Sequence, residues 1–294
     1  MSIREPKQLP KREYQIIVPT DFSARSTTAL ALAASVARPG DELTAVHAID
    51  PLAYKFGSPE SSNLRRQVEW SAAQRRMAQW LQQNHYPQRI ESALVEGESA
   101  PAIAEFVKAK GGNLLVLATS ARQHARRLLL GSVAEEIFRM SSCPVMVLGP
   151  KAHLPKTPKL SRLVFCTDLE PHSLAALSEM LSIAQRFRAG VLVLRVVDSH
   201  VKSRIERDKI KTAMRVKLEA SLSPKLLKQI DEIHVTFAAP LKGITAYSSR
   251  RKASAIVMGI RSGGELTRAA THIPWTLAHR VIAEAKCPVI TIRG

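Results

Sequence analysis

A chain of 294 residues, 45% hydrophobic and 5% aromatic, is long enough for two domains of ordinary size. No apolar run reaches the length of a membrane span, and three widely spaced cysteines form neither a disulfide framework nor a zinc pattern. The formal net charge of +18 is uneven: residues 1–150 hold 18 Lys and Arg against 14 Asp and Glu, and residues 151–294 hold 25 against 11. The second half therefore either favours anionic partners or presents a solvated basic surface. The opening stretch, MSIREPKQLPKREYQ, is charged and lacks an apolar centre, so it reads as a frayed lead-in rather than a secretory signal. With the cysteine usage, it points to the cytoplasm.

In chain order, YQIIVPTD (residues 14–21) is a short apolar strand ending in Thr-Asp. Ala29, Leu30, Leu32, Ala33 and Val36 then recur at helical spacing, with Ser23 or Ser26 as the cap. LTAVHAI (43–49) is the next strand. Residues 51–63 read as a polar loop, and residues 64–83 as an amphipathic helix with Leu64, Val68, Ala72, Met77, Trp80 and Leu81 along one side. A third strand spans 90–95, and a helix with Pro101 in its first turn ends at Gly111-Gly112. Residues 114–117 form a fourth strand, 118–130 an Arg-rich loop, and Gly131-Ser132 opens a helix through Val133, Ile137 and Phe138. CPVMVL (143–148) supplies a fifth strand.

The second half repeats the series. RLVFCTD (162–168) again ends a strand in Thr-Asp, a helix runs from Ser173 to Arg188, and a strand covers 191–197. A basic helix over 201–220 sets Ile205, Ile210, Met214 and Leu218 on one side. Strands at 234–237 and 255–259, helices at 241–252 and 276–285, and a last strand in CPVITI (287–292) complete the match. Asp21 pairs with Asp168, and Cys143-Pro144-Val145 with Cys287-Pro288-Val289: a tandem duplication. Alternating strands and helices imply parallel sheets covered on both faces, with ligands outside the carboxyl ends of strands where the order switches. Asp21 and the loop after Leu117 would lie there. The division is a first domain over 1–150, a linker over 151–160 whose surrounding prolines argue for an extended spacer, and a second domain over 161–294.

Several residues have two readings. Ser132 with Glu135 is a capping box, or its helix start is an anion site. Asp21 and Asp168 either hold a ligand or cap the next turn. Arg122, Arg126 and Arg127 either neutralise phosphates or are solvated. No Walker lysine follows a glycine-rich loop, which disfavours a P-loop ATPase. His47 reads as a packed or pocket-rim histidine, while His272 and His279 flank Pro274 and form no helical metal pair. Cys143 and Cys287 read as structural thiols. The basic residues of 202–217 and Arg250-Arg251-Lys252 could face phosphates, but the lack of aromatics around them weakens a nucleic-acid reading.

The segments IIVPTDFSARSTTAL, LTAVHAID and LLVLATSARQHARRLLLGSVAEEIFRMSSCPVMVLGP resemble the universal stress protein family. LVFCTDLEPHS, VLVLRVVD, SAIVMGIRSGG and VIAEAKCPVITIR carry the resemblance through the second half. It implies two α/β domains of flavodoxin-like (adenine nucleotide alpha hydrolase-like) fold, each a five-stranded parallel sheet of order 3-2-1-4-5 with helices on both faces. In the nucleotide-binding branch a Gly-x2-Gly-x9-Gly-Ser/Thr loop cradles ATP phosphates and the Asp after the first strand contacts adenosine. The first copy reads Ala118-x2-Ala121-x9-Gly131-Ser132, with spacing intact and the upstream glycines replaced. Carried over, the resemblance places Pro19, Thr20, Asp21 and Val46 around adenosine, and Ala118, Thr119, Ala121, Arg122, Gly131, Ser132 and Val133 around phosphates. The second copy keeps Thr167, Asp168, Gly259 and Thr276, but Trp275 stands where Gly131 stands in the first, so this site is expected to be degenerate.

The resemblance further implies ATP or another adenine nucleotide, with or without Mg2+, in a stress-response regulatory protein. The two domains would form an intramolecular pseudo-dimer, residues 145–148 against 289–292 in antiparallel sense, with a further homodimer open. The alternatives are a nucleotide-free interaction protein, slow ATP hydrolysis or autophosphorylation through Ser132 or Thr119, and polyanion binding by the basic second domain.

Overall fold

A computed structural model of the chain describes residues 14–56, 58–84, 86, 89–119, 132–154, 159–197, 203–260 and 275–294, apart from the side chains of Ser132, Trp275 and Thr276. The chain divides into two compact units, one ending at Met146 and the other starting at Val147.

In the N-terminal domain the strands are β1 (Gln15–Pro19), β2 (Glu42–Ile49), β3 (Ile90–Glu96), β4 (Leu114–Ala118) and β5 (Val145–Leu148). The helices between them are α1 (Ala24–Val36), α2 (Pro59–Gln83), α3 (Ser99–Ala109) and α4 (Ser132–Met140). The sheet order is β3-β2-β1-β4-β5. Right-handed crossovers place α1 and α2 on one face and α3 and α4 on the other. Burial from both faces explains why Ile16, Ile17, Val18, Leu115 and Val116 are wholly covered and why these strands read as unbroken apolar runs.

In the C-terminal domain β6 (Arg162–Cys166), β7 (Gly190–Val197), β8 (Glu232–Phe237), β9 (Ala255–Ile260) and β10 (Val289–Arg293) form the order β10-β9-β6-β7-β8. Here α5 (Pro171–Phe187) and α6 (Arg204–Ser221) cover one face, and α8 (Pro240–Arg250) and α9 (Trp275–Glu284) the other, with a short α7 (Pro224–Leu227) before β8.

Two helices depart from their expected faces. The segment taken as a loop over 51–63 holds a 3-10 turn at Pro51–Ala53 and the first residues of α2, whose N-cap is Ser58 with Pro59 inside the first turn. Leu64 and Val68, expected inward, are 64% and 56% exposed, and Ala73 rather than Ala72 is buried beside Met77 and Trp80. The cause is length. A 25-residue helix runs about 38 Å, whereas the eight-residue β2 beneath it covers about 26 Å, so the N-terminal turns overhang the sheet. Ile205 at the start of α6 is 71% exposed for the same reason, and Met214 and Leu218 carry the packing.

The segment after β5 is more than an extended spacer. Ala152 N–H donates to the Gly149 carbonyl (3.2 Å) in a turn, His153 N–H donates to the Lys286 carbonyl (3.1 Å), and Leu160 is buried. Of the cysteines, Cys166 is buried, and Cys143 and Cys287 are half-buried. Burial pushes the Cys287 thiol up to about 11, so it is an inert packed group at neutral pH.

Candidate functional site

The site begins with the turn that leaves β1. Thr20 N–H donates to the Val46 carbonyl (2.8 Å), extending the β1–β2 ladder by one bond. The Thr20 hydroxyl accepts from Phe22 N–H (2.9 Å), and Asp21 Oδ1 accepts from Ser23 N–H (3.0 Å) and the Ser26 hydroxyl (2.5 Å). Ser23 in turn caps α1, its Oγ accepting from Ser26 N–H (3.3 Å). These bonds hold Phe22 at φ 65°, a left-handed conformation unfavourable for a bulky residue. Its ring is fixed against His47 (centroids 4.4 Å apart) and beneath the Arg76 guanidinium (4.7 Å).

The second repeat builds the same turn. Thr167 Oγ1 accepts from Leu169 N–H (2.9 Å), Asp168 Oδ1 accepts from Glu170 N–H (3.0 Å), and Leu169 has φ 68°. Thr-Asp is therefore a turn-forming pair in both domains, whatever else Asp21 does.

In the N-terminal domain this turn borders a cavity of about 400 Å³ at the carboxyl ends of β1 and β4. Of the residues expected there, Pro19, Thr20, Asp21, Ala118, Thr119 and Val133 line it. Val46 does not: its side chain is wholly buried, and its neighbours His47 and Ala48 form that wall instead. Thr119 is 5% exposed, and its hydroxyl makes no hydrogen bond with another described residue. Ala121, Arg122 and Gly131, with Arg126 and Arg127, lie outside the described residues, as does the Ser132 side chain; α4 does start at Ser132.

Three helices begin at the cavity. Ser23, Arg25 and Ser26 come from the start of α1, Ser99 from the first residue of α3, and Val133 and Ala134 from the first turn of α4. Helix N-termini carry partial positive charge and unpaired N–H groups, so their convergence, with Arg25, suits an anionic group. Glu98, at the α3 N-cap, makes no side-chain cap bond. Sequence reasoning missed Arg25 and Ser99 as wall residues. The signal was available, because in a parallel sheet every helix N-terminus lies at the carboxyl end of the strands.

Burial pushes the Asp21 carboxyl up, but the hydrogen bonds from Ser23 and Ser26 outweigh it and hold its pKa below the ordinary value. Lowering in the folded state means that Asp21 contributes stability above the unfolded carboxylate pKa, about 4, and loses it as pH falls through the native value. Asp21→Asn is therefore expected to flatten the acid limb of the melting temperature measured from pH 5 downward, because the variant lacks that titration. His47 has its Nδ1 at 2.7 Å from the Thr20 carbonyl. A carbonyl only accepts, so Nδ1 carries the proton in the neutral ring. Burial holds His47 below the usual histidine range, and the Arg76 charge adds to this, against the Thr20 bond and Asp21.

In the C-terminal domain α5 packs closely against the end of β9. A Cβ on Gly259 would lie 2.9 Å from both Ser173 Cα and Ala176 Cβ of α5. Thr167 Oγ1 accepts from the Ser173 hydroxyl (2.9 Å), and His172 Nε2 is 3.7 Å from Asp168 Oδ2. Gly259, expected in a degenerate second site, leaves room for α5. Thr276 lies in α9 with its side chain outside the described residues. Among the described residues no group of three or more His, Cys, Asp and Glu side chains is arranged to hold a metal ion, and no helix is long and apolar enough to cross a membrane.

The model of the universal stress protein family matches residues 14–149 and again residues 159–293. The chain belongs to the universal stress protein family. A universal stress protein of Methanocaldococcus jannaschii is 30% identical over 151 residues, which are 50% of this chain and 86% of that relative. Among solved structures, a universal stress protein from Archaeoglobus fulgidus superposes with TM-score 0.62 at 17% identity, over 96% of this chain and 98% of the other. A Pseudomonas aeruginosa structure gives TM-score 0.56 at 15% identity, over 96% and 94%. At these identities the structures support the fold alone. As a tandem universal stress protein, the chain has two copies of one fold, and the copies differ at the carboxyl ends of their strands.

Proposed function

We propose that the N-terminal domain binds ATP or another adenine nucleotide, and that the protein acts as a cytoplasmic stress-response regulator through binding rather than through rapid turnover. One observation carries this reading: a cavity of about 400 Å³ at the strand switch point collects Pro19, Thr20, Asp21, Ala118, Thr119 and Val133 beneath three helix N-termini. That volume lies in the range of small-molecule sites. Asp21, with Oδ2 free of hydrogen bonds among the described residues, suits ribose or base donors. The α3 and α4 N-termini suit phosphate, and the Thr119 hydroxyl, which bonds no other described residue, is available to it. A Mg2+ ion arriving with the phosphates would find one carboxylate on the wall, Asp21. The Ala118 methyl narrows the approach that glycine would allow. The C-terminal domain, where α5 packs against Gly259 and Trp275 replaces the loop glycine, is proposed to bind no nucleotide, and the tandem repeat fits an intramolecular pseudo-dimer.

Calorimetry of the full chain with ATP, ADP and AMP tests this reading, together with mass spectrometry of nucleotide carried through purification. One site per chain is expected. No heat at sub-millimolar ligand and a nucleotide-free protein would instead favour an interaction protein that keeps the fold without the ligand.

A further inference from the structure

Part of the positive charge of the C-terminal half flanks one structural feature. Strand β8 ends the sheet order of its domain, so one of its backbone edges has no strand beside it among the described residues. Which groups face outward follows from the register. Strand β8 pairs parallel with β7 from Leu192↔Glu232 to Val197↔Phe237. In a parallel strand alternate residues turn both backbone groups to the same side. Leu194 turns its carbonyl to β6, where it accepts from Thr167 N–H (3.0 Å), so Val193, Arg195 and Val197 face β8, and Ala238 N–H donates to the Val197 carbonyl (2.9 Å). The N–H and C=O of Glu232, His234 and Thr236 therefore face β7, and those of Ile233, Val235 and Phe237 face outward.

The flanks of that edge are basic on both faces of the sheet. On the α8 face, His234 stacks on Tyr247 (centroids 4.7 Å apart), the Tyr247 hydroxyl donates to Glu232 Oε1 (3.0 Å), and Arg251 pairs with Glu232. On the α6 face, Arg207 lies over the Phe237 ring at 4.7 Å. Burial holds His234 below the usual histidine range; Glu232 opposes this, while the charges of Arg251, Arg250 and Lys211 add to it. Lysine and arginine from α6 and α8 thus act together on the middle of β8. Glu232 is engaged by Tyr247 and Arg251, Asp231 accepts from Val191 N–H (2.7 Å), and Asp208 pairs with Lys211 (3.1 Å). An edge strand with open backbone groups and basic flanks suits strand addition by a peptide whose side chains are acidic.

We propose that β8 is a docking edge for an extended acidic peptide segment of a partner protein, which adds as a strand through the outward groups of Ile233, Val235 and Phe237 and is selected by Lys211, Arg250 and Arg251. This docking edge is independent of nucleotide binding in the other domain. Main-chain bonds would supply register, and the flanking cations would supply selectivity and a salt-dependent on-rate. A nucleic acid would use the same charges but not the outward N–H groups, so the two partners respond differently to loss of one N–H.

The test uses the full chain and a fluorescein-labelled eight-residue peptide alternating Glu and Val, with an alternating Lys-Val peptide and a labelled single-stranded RNA as comparisons. Binding of the acidic peptide alone is expected, weakening as salt rises. Ile233→Pro removes an outward N–H that makes no ladder bond, at the kind of edge position where proline is tolerated. It is expected to weaken binding about fivefold to tenfold, equivalent to one lost hydrogen bond. Arg250→Glu should weaken it as well. In the unmodified chain, bound peptide should slow hydrogen exchange at the amides of Ile233, Val235 and Phe237, which tests the edge even if the proline variant folds poorly. Failure of the acidic peptide to bind, RNA binding in its place, or peptide binding that leaves those amides unprotected would overturn the proposal.

Discussion

Gly259→Ala is expected to destabilise the C-terminal domain by about 1–3 kcal/mol, the usual cost of forcing an extra methyl into a packed site. The added Cβ would stand 2.9 Å from Ser173 Cα and from Ala176 Cβ. Neither atom is the end of a flexible side chain, so β9 or α5 must move as a body. The backbone at Gly259 has no positive φ, so the cost is steric rather than torsional. Moving α5 would also strain the Ser173–Thr167 hydrogen bond that closes the β6 turn. Thermal denaturation should show a lower midpoint for the C-terminal transition, with nucleotide binding by the N-terminal domain unchanged. An unaltered midpoint would show that α5 yields cheaply, and that Gly259 is not there to admit the helix. The equivalent position in the first repeat, Ala118, already carries the methyl, so Ala118→Gly should cost only about 0.5–1 kcal/mol through backbone freedom.

This pair of positions shows what was legible in the sequence. The strands could be read because Ile16–Val18 and Leu163–Phe165 are apolar runs covered on both faces, and the duplication fixed the order of elements. The Thr-Asp turns were legible as strand ends, since both copies end a buried run in the same two polar residues. The meaning of a glycine was not. Gly259 and a phosphate-loop glycine look alike in sequence, because both record only that something approaches the backbone closely. Helix faces failed where a helix outran its sheet: Leu64 and Val68 keep an apolar period over turns of α2 that have no strand beneath them. Val46 was misplaced by a single residue. LTAVHAI is apolar on both faces, so its pattern does not mark which residue reaches the cavity wall; that depends on where β1 stops, one residue before the Thr20–Val46 backbone bond.

Asp21→Asn is expected to weaken adenine nucleotide binding by the N-terminal domain about tenfold to a hundredfold, the range for losing a hydrogen bond to a charged acceptor. The substitution separates the two roles of this residue. Asp21 Oδ1 accepts from Ser23 N–H and the Ser26 hydroxyl, and an Asn carbonyl can accept both bonds, so the turn and the α1 cap should persist. At the other atom the amide puts a donor where ribose hydroxyls or an amino group would also donate, and that clash is the source of the loss. Asp21→Ala removes the turn acceptor too, and should lower the melting temperature as well as the affinity. Calorimetry beside thermal denaturation distinguishes the outcomes. Unchanged affinity in Asp21→Asn with a folded domain would confine Asp21 to its turn, the role that Asp168 plays in the second repeat. Reduced affinity with a melting temperature that falls by only the lost carboxylate contribution, and by less than in Asp21→Ala, would assign the two carboxylate oxygens to two tasks, one holding α1 and the other holding the ligand.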